Sequence, residues 1–167
     1  MKLSLVFASL LTLVSTAPVE PPYHYEVNST SASLDGKSFL TDSSVIVEQG
    51  GPFAITLSAA NWALFTDIVY NHTGLDATTT VGMVTIDCCS AHLAKFNVDI
   101  NGEKFDFTGA DISSPAEDKP GQCLLNVYYK VIDANYFGQQ FIDNVLHGKL
   151  LPGKWLGPGP QPANWKE

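Results

Sequence analysis

The stretch Phe96–Phe107, FNVDINGEKFDF, decides the fold. Asn101-Gly102 is a strong signal for a two-residue type I′ hairpin turn, because both central residues of that turn need positive φ. Counting back from the turn pairs Ile100 with Glu103, Asp99 with Lys104, Val98 with Phe105, Asn97 with Asp106 and Phe96 with Phe107. The Phe96/Phe107 and Val98/Phe105 pairs then share one face, and the polar pairs share the other. A turn signal and an alternation that agree in this way predict an antiparallel hairpin with one buried side.

The same residues contain Asn97-x-Asp99-x-Asn101-Gly102, which matches the opening of a calcium-binding loop. The match fails further on: the closing Glu position falls on Thr108 and the hydrophobic position on Lys104. Strand alternation stands where flanking helices should be. The hairpin reading prevails, and no metal is expected here.

Toward the C-terminus, residues 109–121 read as an exposed loop and residues 122–133 as a strand with Cys123, Leu125, Val127, Tyr129 and Val131 on one face. In residues 135–148, Phe137, Phe141 and Val145 recur every four positions, and Gly148 supplies a stop, so the period predicts a short amphipathic helix. Toward the N-terminus, residues 81–89 read as a strand and residues 71–80 as a polar loop. Residues 61–70 fit a helix stripe (Trp62, Phe65, Ile68, Val69) with Asn61 as cap, and also a strand face; helix is preferred. Residues 23–57 break into short β-rich pieces at Asp35-Gly36 and Gly50-Gly51-Pro52. The fold expected is mainly β: an antiparallel β-sandwich of about seven to nine strands, with a closed β-barrel as the alternative, a short C-terminal helix and an extended tail.

The ends set the compartment. Lys2, an apolar run from Leu3 to Val14 and the small residues Ser15–Ala17 have the layout of a secretory signal peptide. The organisation expected is a signal peptide over 1–17, one β-rich domain over 18–150 beginning with a Pro-rich arm, and a Pro/Gly-rich tail over 151–167. No run is long and apolar enough to read as a membrane span. The destination expected is extracellular.

The chain carries nine Lys plus Arg, all of them Lys, against seventeen Asp plus Glu, for a formal charge of −8. An acidic chain without a guanidinium lacks the clustered cations that phosphate backbones require, so nucleic acid is set aside as a partner. Export makes two sequons meaningful, Asn28-Ser29-Thr30 and Asn71-His72-Thr73, which predict glycosylation at Asn28 and Asn71.

Asp87-Cys88-Cys89-Ser90-Ala91-His92 holds two of the three cysteines. A zinc site needs about four ligands, and no second Cys/His pair accompanies Cys89 and His92. Export favours a disulfide. Adjacent strand residues point to opposite faces, so one of the two meets Cys123. Strand parity places Cys88 with Val84 and Ile86 and favours Cys88–Cys123; Cys89–Cys123 is the alternative if the strand ends at Asp87.

Glu26, Glu48, Asp67, Asp87 and Asp99 lie in or beside predicted elements and could supply a glycosidase-like carboxylate pair. No G-x-S-x-G elbow occurs. Trp155 and Trp165 in the tail are candidate binding aromatics if they are exposed, or groove-fillers if the tail straps the sheet. The function expected is non-catalytic binding outside the cell, at a cell wall, matrix or host surface, with carbohydrate or protein as partner and no cofactor. A small extracellular hydrolase using a carboxylate pair is the alternative, and a carrier of a small apolar ligand the next.

Overall fold

The structure is a computed structural model and describes residues 24–80, 82–131 and 133–157. The expected leader, the Pro18–Pro22 arm and Trp165 lie outside the described residues. In chain order the elements are β1 (His24–Leu34), β2 (Lys37–Glu48), β3 (Ile55–Leu57), α1 (Ala59–His72), β4 (Ala77–Thr80), β5 (Met83–Asp87), β6 (Lys95–Ile100), β7 (Glu103–Thr108), β8 (Ser113–Pro115), β9 (Gln122–Tyr129), β10 (Asn135–Phe137), α2 (Gln139–Asn144) and β11 (Lys154–Gly157). Short 3-10 turns follow β5 (Cys88–Leu93) and β7 (Gly109–Ile112).

The protein is mainly β. The strands form one open sheet in the order β4-β5-β9-β3-β10-β2-β1-β6-β7, with β11 added on β1 and β8 on β9. It does not close into a barrel. The sheet is mixed: β10 runs parallel to β2 and β3 runs parallel to β9, while every other pair is antiparallel. Both parallel contacts arise because the three-residue strands β3 and β10, themselves an antiparallel pair, are inserted between β9 and β2.

The β6–β7 hairpin has all five expected pairings, from Phe96 with Phe107 to Ile100 with Glu103. Asn101 (φ 53) and Gly102 (φ 84) make the turn, as a type I′ geometry requires. Phe96 and Phe107 stack at 5.1 Å and are two links in a run of phenyl rings through the core. Phe39 on β2 meets Phe65 on α1 and Phe96; Phe107 meets Phe141 on α2, and Phe141 stacks on Phe137 of β10. This run shows the sheet folding over, since β7 at one end reaches α2 and β10 near its middle. Burying rings of this size supplies much of the driving force for folding.

Four local expectations change. The helix read over 61–70 runs from Ala59 to His72, and Ser58 rather than Asn61 occupies its N-cap. The segment read as a polar loop over 71–80 ends in the strand β4, where three threonines with branched Cβ atoms suit a pleated edge. The strand read over 122–133 ends at Tyr129, and Val131 is 80% exposed. The helix read over 135–148 is a strand, β10, followed by a helix of six residues with Gly138 at its N-cap.

Candidate functional site

Cross-strand register carries a single row of side chains over seven strands. Lys154 on β11 lies opposite Glu26 on β1, Glu26 opposite Ile46 on β2, and Ile46 opposite Tyr136 on β10. Tyr136 lies opposite Thr56 on β3, Thr56 opposite Tyr128 on β9, and Tyr128 opposite Met83 on β5. Directly paired residues share a face, so all seven project from one side of the sheet. At a strand spacing of about 4.8 Å the row is about 29 Å long.

This side is the outer one. The neighbours of the row along each strand (Tyr25, Val45, Val47, Ile55, Leu57, Val127, Phe137) are buried, whereas the row from Glu26 to Met83 is half-buried and Lys154 is exposed. Helix α1 covers the opposite, inner face through Phe65 and Trp62, the latter packed near Tyr129. On the outer face Phe53 stacks on Tyr128, with ring centroids 4.3 Å apart and planes 10° from parallel. Lys130 holds its ammonium 5.6 Å from the centre of the Tyr136 ring, a cation–π contact.

The β1–β2 end of the face is acidic. His24 lies opposite Glu48, one pair along from Tyr25/Val47 and two from Glu26/Ile46. Glu26 accepts a hydrogen bond from the Ser44 hydroxyl. Glu26 and Glu48 are thus diagonal neighbours on adjacent strands, a relationship that sets Cα atoms about 7–8 Å apart. The loop beyond Glu48 is held tightly: Gly51 N–H donates to the Glu48 carbonyl, Gly50 N–H to Gln139 Oε1, and Gln139 N–H to the Gly51 carbonyl. Gly138 lies so close to this loop that a Cβ there would collide with the Phe53 carbonyl oxygen.

The other acids considered from the sequence do not join Glu26 and Glu48. Asp67 accepts from the Asn71 side chain on α1. Asp87 caps the 3-10 turn through Cys89 N–H and the Ser90 hydroxyl. Asp99 accepts from Gly102 N–H inside the hairpin turn, and Asn97 donates to Asp106 across it, so this segment's polar groups serve the hairpin.

Cys88 and Cys123 are joined by a disulfide with Cα atoms 4.9 Å apart; Cys89 is a free, exposed thiol. Strand β5 ends at Asp87, and the 3-10 turn begins at Cys88, so the bridge clamps the exit of β5 to the start of β9. Exposed His92 lies on that turn. No group of three His, Cys, Asp or Glu side chains among the described residues is arranged to hold a metal ion.

Asn28 and Asn71 are both exposed. Trp155 lies opposite Tyr25, half-buried against the core, so the first part of the tail is an added strand. An open groove of about 470 Å³ runs between Met83, Leu124, Ser114, Pro115 and the 116–119 loop, beside the Met83 end of the row. Sequence reading overlooked Phe53, Tyr128 and Tyr136 as members of one surface. The alternation in 122–129 did place Tyr128 opposite the core face, but only the order of short strands brings Tyr136 and Phe53 beside it.

No protein-family description matches the sequence, and no curated protein does. Among solved structures the chain is similar to basic 7S globulin from soybean (TM-score 0.58, 13% identity) and to conglutin gamma, a basic 7S globulin from lupine seeds (TM-score 0.56, 10% identity). Each likeness covers 72% of this chain, against 37% and 36% of those chains. The chain thus spans little more than a third of either. At such identities the likeness concerns the β-rich fold alone.

Proposed function

We propose that the chain is an exported, glycosylated, non-catalytic binding protein that acts outside the cell, at a cell wall, matrix or host surface, and that the outer row is its contact surface. The observation that carries this reading is the row itself: half-exposed Tyr128 and Tyr136, with Phe53 stacked on Tyr128, on one continuous sheet. Flat aromatic faces with hydroxyl tips suit sugar rings, which offer apolar C–H faces and polar edges. Carbohydrate is therefore the partner proposed. The disulfide accords with an oxidising destination.

The test is retention of the secreted protein on insoluble cell-wall and matrix polysaccharides, wild type against a Y128A/Y136A double variant. Anchor aromatics at an interface each contribute about 1–2 kcal/mol or more, so the double variant should bind at least about tenfold more weakly. Equal retention of the two proteins would remove the row from the interaction.

A second reading has its own observation. Glu26 and Glu48 share the outer face on neighbouring strands, so a carboxylate-pair hydrolase would use these two among the five acids considered. Release of reducing sugar by wild type, lost in both E26Q and E48Q, would replace the binding reading with this one.

A further inference from the structure

We propose that Asn28 carries an N-linked glycan whose first sugars pack into the cleft between the β6–β7 turn and the segment entering β11, fastening both to β1. The proposal rests on the reading of the chain as an exported glycoprotein and names what one of its glycans does.

The cleft has a structural cause. One edge of β1 has two partners: His24–Glu26 pair with β11, and Thr30–Leu34 pair with β6. Residues 27–29 lie in the gap, and the register of β1 against β2 shifts across the same residues. Val27 and Thr30 are buried while Asn28 and Ser29 are exposed, and Ser29 takes φ 47, so the chain bulges outward at the sequon. A cleft of about 380 Å³ opens there, lined by Asn28, Asn101, Pro152, Gly153 and Lys154.

Its walls mix polar and apolar groups. They present the amides of Asn28 and Asn101, the Lys154 ammonium, backbone and the Pro152 ring, a mixed lining that the polar edges and C–H faces of a sugar both fit. At the cleft Asn101 N–H donates to the Ser29 carbonyl of β1 at 3.3 Å, and Asn101 Nδ2 reaches the Pro152 carbonyl at 3.5 Å, the outer limit of a hydrogen bond, while Lys149 pairs with Glu103 beside it. Sugar hydroxyl and acetamido groups in the cleft would add hydrogen bonds to both walls.

Attachment follows the usual chemistry of the sequon. Asn28 Nδ2 loses a proton and bonds to the anomeric carbon of a lipid-linked oligosaccharide donor, and the lipid diphosphate leaves. The Thr30 hydroxyl of the same sequon is buried and donates to the Asn28 carbonyl. Transfer therefore precedes docking of β1, and the glycan is in place when the cleft forms around it. Asn71, exposed on the last turn of α1, provides an internal control.

The experiment uses the full chain secreted from a eukaryotic host. Peptide mass spectrometry reads occupancy at Asn28, and hydrogen exchange compares wild type with N28Q and N71Q. The expected result is an occupied Asn28, with amides of 100–103 and 153–157 exchanging about tenfold faster in N28Q and unchanged in N71Q, since local opening follows the contacts that hold a segment. Wild type and N28Q made without glycans in a bacterial periplasm should not differ from each other. If N28Q is not secreted, exchange of the wild type before and after enzymatic release of its glycans gives the same comparison. An occupied Asn28 with unchanged exchange overturns the packing proposal and leaves the glycoprotein reading standing. An unoccupied Asn28 overturns the proposal, and unoccupied sequons at both sites overturn the glycoprotein reading as well. An equal difference between the two bacterial proteins assigns the effect to the side chain and also overturns the proposal.

Discussion

Asn135 on β10 accepts a hydrogen bond from the backbone N–H of Ser58, 3.1 Å away and 77 residues distant in sequence. Both residues are buried, and Ser58 is the N-cap of α1, whose own side chain makes no capping bond. The Asn135 Oδ1 also accepts from Asn61 Nδ2 at 3.0 Å. A central strand thus supplies the acceptor that a helix start needs. N135A leaves the buried Ser58 N–H without that partner and should cost about 1–3 kcal/mol, whereas N61A, which removes a donor from a half-buried site, should cost less than about 1 kcal/mol. Urea titration checks this: the midpoint should fall in N135A with its slope unchanged.

The hairpin offers a second test. Gly102 sits at φ 84 and donates its N–H to Asp99 Oδ1 at 2.8 Å. A side chain there meets no neighbour, so the penalty in G102A is conformational, about 1–2 kcal/mol. F96A removes a ring in contact with Phe39, Phe65 and Phe107 and should cost about 3–5 kcal/mol. Thermal unfolding of the two variants should rank them in that order.

The hairpin was legible because turn chemistry and alternation were both local and coincided. The segment 135–148 misled for an instructive reason. Phe137 and Phe141 do meet, at 4.1 Å, but as the end of a strand and the start of a helix rather than as two turns of one helix. Gly138 between them was the local mark of that break. In β4, threonine polarity outweighed threonine's β preference in the reading, because an edge strand need not show an apolar face. The parallel pairs and the outer row could not be read at all. They depend on two three-residue strands, β3 and β10, finding each other across 77 residues or more, and no local pattern encodes that pairing.

Gly138 gives a third test. It lies against the backbone of the 51–53 loop, donates its N–H to the Ala54 carbonyl, and a Cβ would strike the Phe53 carbonyl oxygen. Backbone cannot rotate away as a flexible side chain can, so G138A should cost about 2–3 kcal/mol or more. The strain should spread to Phe53 and its stack on Tyr128. G138A should therefore also weaken polysaccharide retention, which a folded but displaced row explains, and near-ultraviolet circular dichroism reports the altered aromatic packing.

The last test concerns the cysteines. The bridge from Cys88 to Cys123 closes a loop with a sequence separation of 35, and closing a loop of that length stabilises by about 3–4 kcal/mol on the chain-entropy account. A C88A/C123A double variant should lose about that much. Cys89 is exposed, so C89A should stay within about 0.5 kcal/mol of wild type. Alkylation of the native secreted protein before reduction should label Cys89 alone, and peptide mass spectrometry should recover Cys88 and Cys123 joined. Label on Cys88 with Cys89 bridged to Cys123 would mean that the turn after Asp87 is wound differently in solution, carrying Cys89 rather than Cys88 against β9, since a strand continued past Asp87 would keep Cys88 on the Val84/Ile86 face.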